Sequence, residues 1–356
     1  MKADKHIAAR FLGAICLCVI AATCLAAESA DVTRCTAIAN DNERLRCFDE
    51  LAGRGKSTTA VPSQAKPATG DDALRELGAK PRPAPDEGAI RPTALSTRWE
   101  LDPETKQGLW NVRPFQPIFI LPVRSTNRTN DSPQSPSHPL SESAPLDHTE
   151  AEFQLSLKVK AAENVFSTRA DLWVAYTQQS QWQVYNSGIS RPFRETDYQP
   201  EIFTVFPTDY ELLGLTGRFV SMGFVHQSNG RAEPLSRSWN RVYAQFGFEH
   251  GDFSLLARPW YRLKENATDD DNSDLVRYMG YGDLLAVYKS GGQEFSLLAR
   301  YNPSTDYGAL QGTWSFPIHE RLKGYVKVFT GYGETLIDYN WKQTTIGIGI
   351  SLVDWL

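Results

Sequence analysis

His226 and Ser228 stand two residues apart in Gly223-Phe-Val-His-Gln-Ser-Asn-Gly-Arg. A serine hydroxyl and an imidazole are the nucleophile and general base of acyl transfer. The spacing supports that pairing on a strand, where positions i and i+2 share a face; His-x-Ser alone is frequent by chance. A third residue strengthens it. The segment Asn229 to Leu235 turns the chain back, and Trp239-Asn240-Arg241-Val242-Tyr243 opens the next strand, so Asn240 falls beside His226 across the hairpin. Its carboxamide oxygen can accept the Nδ1 proton and leave Nε2 free to take the serine proton. The other histidines after the N-terminal segment are less suggestive: His138 and His148 lie in a Ser/Pro-rich stretch, His250 and His319 in apparent turns. The chain has no Gly-x-Ser-x-Gly elbow, which excludes an α/β-hydrolase.

The faces of the two strands say where this chemistry would sit. Val220, Met222, Phe224, His226 and Ser228 share one side, as do Asn240, Val242, Ala244, Phe246 and Phe248; Arg241, Tyr243, Gln245 and Glu249 take the other. In a membrane barrel the apolar side faces lipid, so the three polar groups would stand on the outer wall near one rim. Polar groups there are costly and tend to be functional. An Asn orients the ring without placing a fixed charge beside hydrocarbon.

The elements that must position these residues alternate with period two from Trp99 onward. Phe153, Leu155, Leu157 and Val159 face away from Gln154, Ser156, Lys158 and Lys160, and Ile346, Ile348, Ile350 and Leu352 alternate with Thr345, Gly347, Gly349 and Ser351. Similar segments at 115–123, 168–179, 199–212, 216–228, 238–249, 252–264, 276–289, 293–301, 308–316 and 322–332 bring the count to about twelve. Each is near the length of a tilted strand that crosses a bilayer. The expected fold is an all-β, antiparallel transmembrane barrel, with a soluble β-sandwich as the competing architecture. Trp173, Trp182, Trp239, Trp260, Tyr261, Trp314 and Trp341 lie near strand ends, where an aromatic girdle would fall.

Upstream, Lys2, Lys5 and Arg10 precede an uncharged run from Phe11 to Ala27 that ends in small residues, the anatomy of a cleaved signal peptide over 1–27. An uncleaved anchor is the alternative. Residues 28–52 read as a small helical element in which Cys35 and Cys47 form one disulfide in an oxidising compartment. Residues 53–98, with six prolines, read as a linker, possible helical turns at Asp71–Leu77 aside. Ser125 to Thr149 reads as a long loop. The 356-residue chain carries a formal charge of -5, and removing the leader's net +2 leaves about -7, which argues against nucleic acid as a partner.

Longer motifs surround the hairpin. They are His226-x-Ser-Asn-Gly-Arg, Ser236-Arg-Ser-Trp-Asn-Arg-x-Tyr243, Pro259-Trp-Tyr, an acidic run at Asp269-Asp270-Asp271, and Tyr278-Met-Gly-Tyr. Pro192-Phe-Arg-Glu-Thr-Asp-Tyr and Gly331-Tyr-Gly-Glu-Thr-Leu-Ile-Asp-Tyr-Asn extend the set. Over 99–356 the chain resembles the outer-membrane phospholipase A family. The resemblance implies a twelve-stranded barrel in the bacterial outer membrane, with its termini on the periplasmic side. It also implies a calcium-dependent enzyme, active as a homodimer, that cleaves acyl esters of glycerophospholipids and lysophospholipids without an organic cofactor. Ser228 would be the nucleophile, His226 the base, Asn240 the orienter, and Gly230 N–H part of the oxyanion hole.

Calcium would be held by the carbonyl of Arg231 and the side chain of Ser236, with a carbonyl from Ser190 of the partner subunit. A second site would use Glu233, where members of the family carry Asp, and Asp271 in an acidic run a few residues longer than theirs. Gln178 follows from strand alternation. It shares a face with Leu172, Val174 and Tyr176, points toward lipid, and could pair with its own copy across a two-fold axis. Its alternative is a solvated place at the membrane rim. The alternative to the whole enzymatic reading is a porin or structural barrel in which Ser228 and Asn240 are incidental.

Overall fold

The structure is a computed structural model, and it describes residues 33–36, 38–51, 92–139, 143–266 and 268–356. The signal-peptide segment and most of the linker, including 71–77, lie outside the described residues. The chain divides into two compact units, Met1–Asp86 and Glu87–Leu356. In the first, α1 (Thr33–Thr36) and α2 (Asp41–Leu51) are joined by a Cys35–Cys47 disulfide. Asn40 starts α2 by accepting from the backbone N–H of Asn42 at 3.0 Å.

The second unit is a barrel. Its strands are β1 (Val112–Pro114), β2 (Ile118–Thr126), β3 (Thr149–Val165), β4 (Ala170–Trp182), β5 (Phe193–Leu212), β6 (Leu215–Ser228), and β7 (Ser238–His250). There follow β8 (Phe253–Arg262), β9 (Gly282–Ser290), β10 (Gln293–Asn302), β11 (Tyr307–His319), β12 (Leu322–Tyr332) and β13 (Lys342–Val353). Each strand from β2 to β13 pairs antiparallel with its neighbour in sequence, and β13 returns to β2 with Thr345 opposite Thr126. Twelve strands therefore close without an edge, as expected. The short β1 is an extra strand that pairs with the far half of β3, Val112 opposite Val159, beyond the reach of β2.

Alternation sets the two faces. Ile346, Ile348, Ile350 and Leu352 are exposed on the outside of β13, while Gln343, Thr345 and Ser351 are buried within. The interior holds paired charges beside a buried aromatic cluster: Arg124 bonds Glu150 at 2.6 Å, Lys327 bonds Glu152 and reaches Glu334 at 3.2 Å, and Arg194 meets Asp338 at 2.8 Å. Buried charges of this kind persist only when paired. No helix among the described residues is long and apolar enough to cross a membrane; the spans are strands.

Three expectations need correction. The linker does not run to residue 98, because Ala94–Trp99 is a helix, α3, capped by Thr93, with Leu95 and Trp99 buried in the barrel core. Trp99 packs 4.9 Å from Phe219, and Lys158 Nζ lies 4.0 Å over its ring. Second, the strand expected over 276–289 begins only at Gly282; Leu275–Met279 forms a helix, α4. Its two buried residues, Leu275 and Met279, are four apart, a helical period. Third, Trp173, Trp239 and Trp260 are not in an outer girdle but are buried inside. Each shares the inward parity of its strand, and cations hold them there: Arg241 stacks 3.9 Å from Trp239 and Arg113 5.3 Å from Trp173. Tyr261 and Trp314 do face outward.

Candidate active site

The β6–β7 hairpin pairs His226 with Asn240 and Ser228 with Ser238. Cross-strand partners on one face stand close enough for side chains to bond, and His226 Nδ1 lies 2.9 Å from Asn240 Oδ1. Ser228 is two residues along the same face, with no hydrogen bond to the ring among the described residues. All three are half-buried. Toward mid-barrel, the same outward face carries Met222, Phe224 and Val242, all exposed. These residues, with Ile202, Thr204 and Tyr261, line an open apolar groove of about 680 Å³ on the outer wall. On the inner side of the wall, Gln199, Gln227, Arg241 and Arg258 line a separate polar cavity of about 140 Å³.

The loop after Ser228 is organised by Asn229, which is buried. Its amide nitrogen donates to Glu195 Oε1 at 2.9 Å and to the Leu235 carbonyl at 2.8 Å; its oxygen accepts from the N–H of Arg237 at 2.9 Å and of Arg231 at 3.3 Å. All four hydrogen-bonding positions of the carboxamide are thus used. Gly230 follows with φ +62°, and a Cβ there would stand 3.1 Å from the Tyr198 ring, so this position favours glycine on two counts. The Gly230 N–H makes no hydrogen bond among the described residues.

The expected metal ligands fall in two groups. Ser236 donates to Asp271, and Glu233, Asp271 and His138 bring one ligand atom each within 4.8 Å of one another. Arg231 is in the same loop as Ser236. Ser190 is exposed in the loop between β4 and β5, outside that cluster. Gln178 does face outward, yet its amide already has partners in its own strand: Tyr176 OH donates to it at 3.1 Å and it donates to Ser180 at 3.3 Å.

Three residues of the site escaped the sequence reading. Asn229 carries a local signal, a carboxamide directly before a left-handed glycine. His138 and Glu265 carry none, because loops distant in sequence deliver them. Glu265, between β8 and α4, accepts from Asn240 Nδ2 at 2.7 Å. Burial pushes its carboxyl above the usual range, against the opposing influence of the Asn240 hydrogen bond, Arg262 and His226.

Fold and site together define a closed transmembrane barrel that carries a serine, a histidine and an asparagine on its lipid-facing wall. The phospholipase A1 family model matches residues 95–352, and the chain belongs to that family. A Neisseria meningitidis relative assigned to phospholipase A1 is 40% identical over 346 residues, covering 90% of each chain. Escherichia coli phospholipase A1 is 43% identical over 205 residues, 58% of this chain and 70% of its own. The outer-membrane phospholipase A of Escherichia coli superposes with a TM-score of 0.64 and 37% identity, covering 69% of this chain and 95% of that one. The Salmonella typhi outer membrane phospholipase, a dimer with bound calcium, gives 0.66 and 36%, covering 75% and 100%. The chain is accordingly an outer-membrane acyl ester hydrolase of phospholipids, and the reading as a porin or structural barrel falls away.

Proposed function

We propose that the chain hydrolyses glycerophospholipids and lysophospholipids through Ser228, His226 and Asn240, on the outer face of the barrel, in a calcium-dependent and dimer-activated reaction. The observation that carries this is the 2.9 Å cross-strand bond between His226 Nδ1 and Asn240 Oδ1, two residues from Ser228 on the same face. With Nδ1 donating to Asn240, Nε2 is the ring nitrogen left to remove the Ser228 proton. The Ser228 oxygen attacks the ester carbonyl, and His226 returns the proton to the departing alcohol. Water, activated by the same imidazole, then releases the fatty acid. The ring–hydroxyl contact tightens when substrate is bound, as open catalytic hydrogen bonds commonly do. The Gly230 N–H is available to the developing oxyanion. The adjoining apolar groove suits an acyl chain.

Calcium fits the donors present. Arg231 offers a carbonyl, Ser236 a hydroxyl, and Glu233 and Asp271 carboxylates, the hard oxygen ligands this cation prefers; Ser190 of the partner subunit would complete the first set. When bound it supplies electrostatic stabilisation of negative charge beside the oxyanion. Dimerisation suits a site without a deep cleft of its own, since a second barrel can wall off the groove, and Gln178 is the contact proposed.

The loop lengths support one orientation. The ends at 166–169, 213–214, 251–252, 291–292 and 320–321 are tight turns, while 183–192, 229–237 and 263–281 are long loops at the site end. Short turns face the periplasm and long loops the exterior in bacterial barrels, which supports a site in the outer leaflet and both barrel termini in the periplasm.

The test is labelling with a fluorophosphonate alongside hydrolysis in detergent micelles. Ser228→Ala is expected to lose both, while keeping the gel mobility of a folded barrel. Chelation is expected to abolish hydrolysis without unfolding, and Ser236→Ala to raise the calcium concentration required. Hydrolysis by folded Ser228→Ala would end the serine mechanism, and full activity in excess chelator would end the calcium requirement.

A further inference from the structure

The orienting group of this site is an amide, and an amide has two ends. Facing His226, the oxygen of Asn240 accepts from Nδ1–H and selects the tautomer whose Nε2 can act as a base. Facing it with its nitrogen, the same side chain would donate to Nδ1 and select the opposite tautomer, with Nε2 already protonated. The two rotamers differ by a half-turn about one bond and fill the same space. On a wall facing hydrocarbon, bulk water is not there to choose between them. Something in the chain must.

Glu265 is placed to do so. Its Oε1 accepts from Asn240 Nδ2 at 2.7 Å, on the side of the amide away from the ring. A carboxylate has no proton to donate, so it can take only the nitrogen end, and the oxygen is left for His226 at 2.9 Å. The loop that carries it is anchored at two points. Leu263 N donates to the backbone carbonyl of Asn240 itself at 2.8 Å, which locks the start of the loop onto the residue to be oriented. Arg262 grips the same loop through Asp270 at 2.7 Å and through the carbonyls of Asn272 and Ser273, each at 3.1 Å. Glu265 is half-buried, and its Oε2 is buried without a hydrogen-bond partner among the described residues. A solvated surface carboxylate would not be left so.

We infer that Glu265 is a positioning residue that fixes the amide orientation of Asn240 and, through it, the tautomer of His226, extending the catalytic line on the barrel wall to four residues. The inference rests on the Ser228–His226–Asn240 reading. Glu265 touches no substrate in this role and acts on the rate through the base alone. The arrangement keeps the fixed charge in the polar loop, one residue removed from the hydrocarbon face, while a neutral amide transmits its effect into the wall.

The test uses the full-length protein in calcium-containing detergent micelles, with a short-chain phospholipid as substrate. Glu265→Ala is expected to lower kcat about tenfold, the effect of losing one charge-assisted hydrogen bond of ordinary strength, with KM unchanged. Glu265→Gln, whose own carbonyl can accept from Asn240 Nδ2, is expected to recover most of that loss. The ring-nitrogen NMR signals of His226 should report one tautomer in the parent protein and a mixture in Glu265→Ala. In an Asn240→Ala background, Glu265→Ala should cost nothing further. A wild-type kcat and an unchanged His226 spectrum in Glu265→Ala, with Ser228→Ala inactive, would overturn the role of Glu265 and leave the triad standing. Additive losses in the double variant would overturn it as well. Activity in Ser228→Ala would instead overturn the triad, and with it the inference.

Discussion

The two sides of the β6–β7 hairpin are built on opposite terms. Inward, Arg241 stacks on Trp239 and bonds Gln227 at 3.1 Å, and Tyr243 donates to Glu201 at 2.9 Å. Trp239, Arg241, Tyr243 and Glu201 are buried and Gln227 is half-buried, on the same inner side as the paired charges of the other strands. Outward, three polar residues stand at the end of an apolar face, with His226 bonded to Asn240 and Asn240 to a loop carboxylate. One step along the strand separates Val225 from His226 and Arg241 from Asn240. Alternation thus lets one pair of strands carry a rigid scaffold and the proposed reactive surface without either intruding on the other. A change inward should be felt as stability, and a change outward as rate.

The sharpest way to break that contrast is on the inner side, across the barrel from the hairpin. Lys327→Met leaves Glu152 and Glu334 buried with one cation fewer, and is expected to cost about 3–5 kcal/mol in urea unfolding. Hydrolysis per folded molecule should stay near that of the parent; a matching fall in kcat would mean that the paired charges also tune the outer wall. The outer counterpart is Asn240→Ala. Removing the orienter should lower kcat about 100-fold, less than removing the nucleophile, with the unfolding midpoint little changed. Total loss of activity in a folded Asn240→Ala protein would contradict an orienting role. The smallest effect is expected at Gln178. Interhelical hydrogen bonds in membranes contribute about 0.6 kcal/mol on average, and Tyr176 and Ser180 already engage this amide. Gln178→Ala should therefore weaken the dimer several-fold at most, read by crosslinking and activity together. An unchanged dimer fraction with unchanged activity would return Gln178 to the membrane rim.

Much of this contrast was legible in the residues. Period-two alternation gives the strands, their faces and the opposition of His226 to Asn240, because a strand carries its side-chain direction in its sequence. At the tryptophans, alternation and composition point different ways. Trp239 lies two residues before Arg241 and so belongs to the inner face, yet a tryptophan near a strand end reads as a girdle residue. Leu275 and Met279 show a period of four within a stretch short enough to pass for the start of β9. Glu265 and His138 were beyond reach for another reason. Their positions depend on how loops separated by many residues come together, and no local periodicity encodes that.

Because α3 and the paired charges pack inside the barrel while the proposed nucleophile stands outside it, the barrel lumen is not the route to the proposed site. With the site proposed there, lipid would meet the enzyme sideways, by diffusion within a leaflet, and fatty acid and lysolipid would leave into that same sheet. The quantity that governs turnover would then be the fraction of surface occupied by substrate rather than its amount per volume. Adding inert detergent at constant bulk lipid should slow the enzyme as surely as removing lipid does.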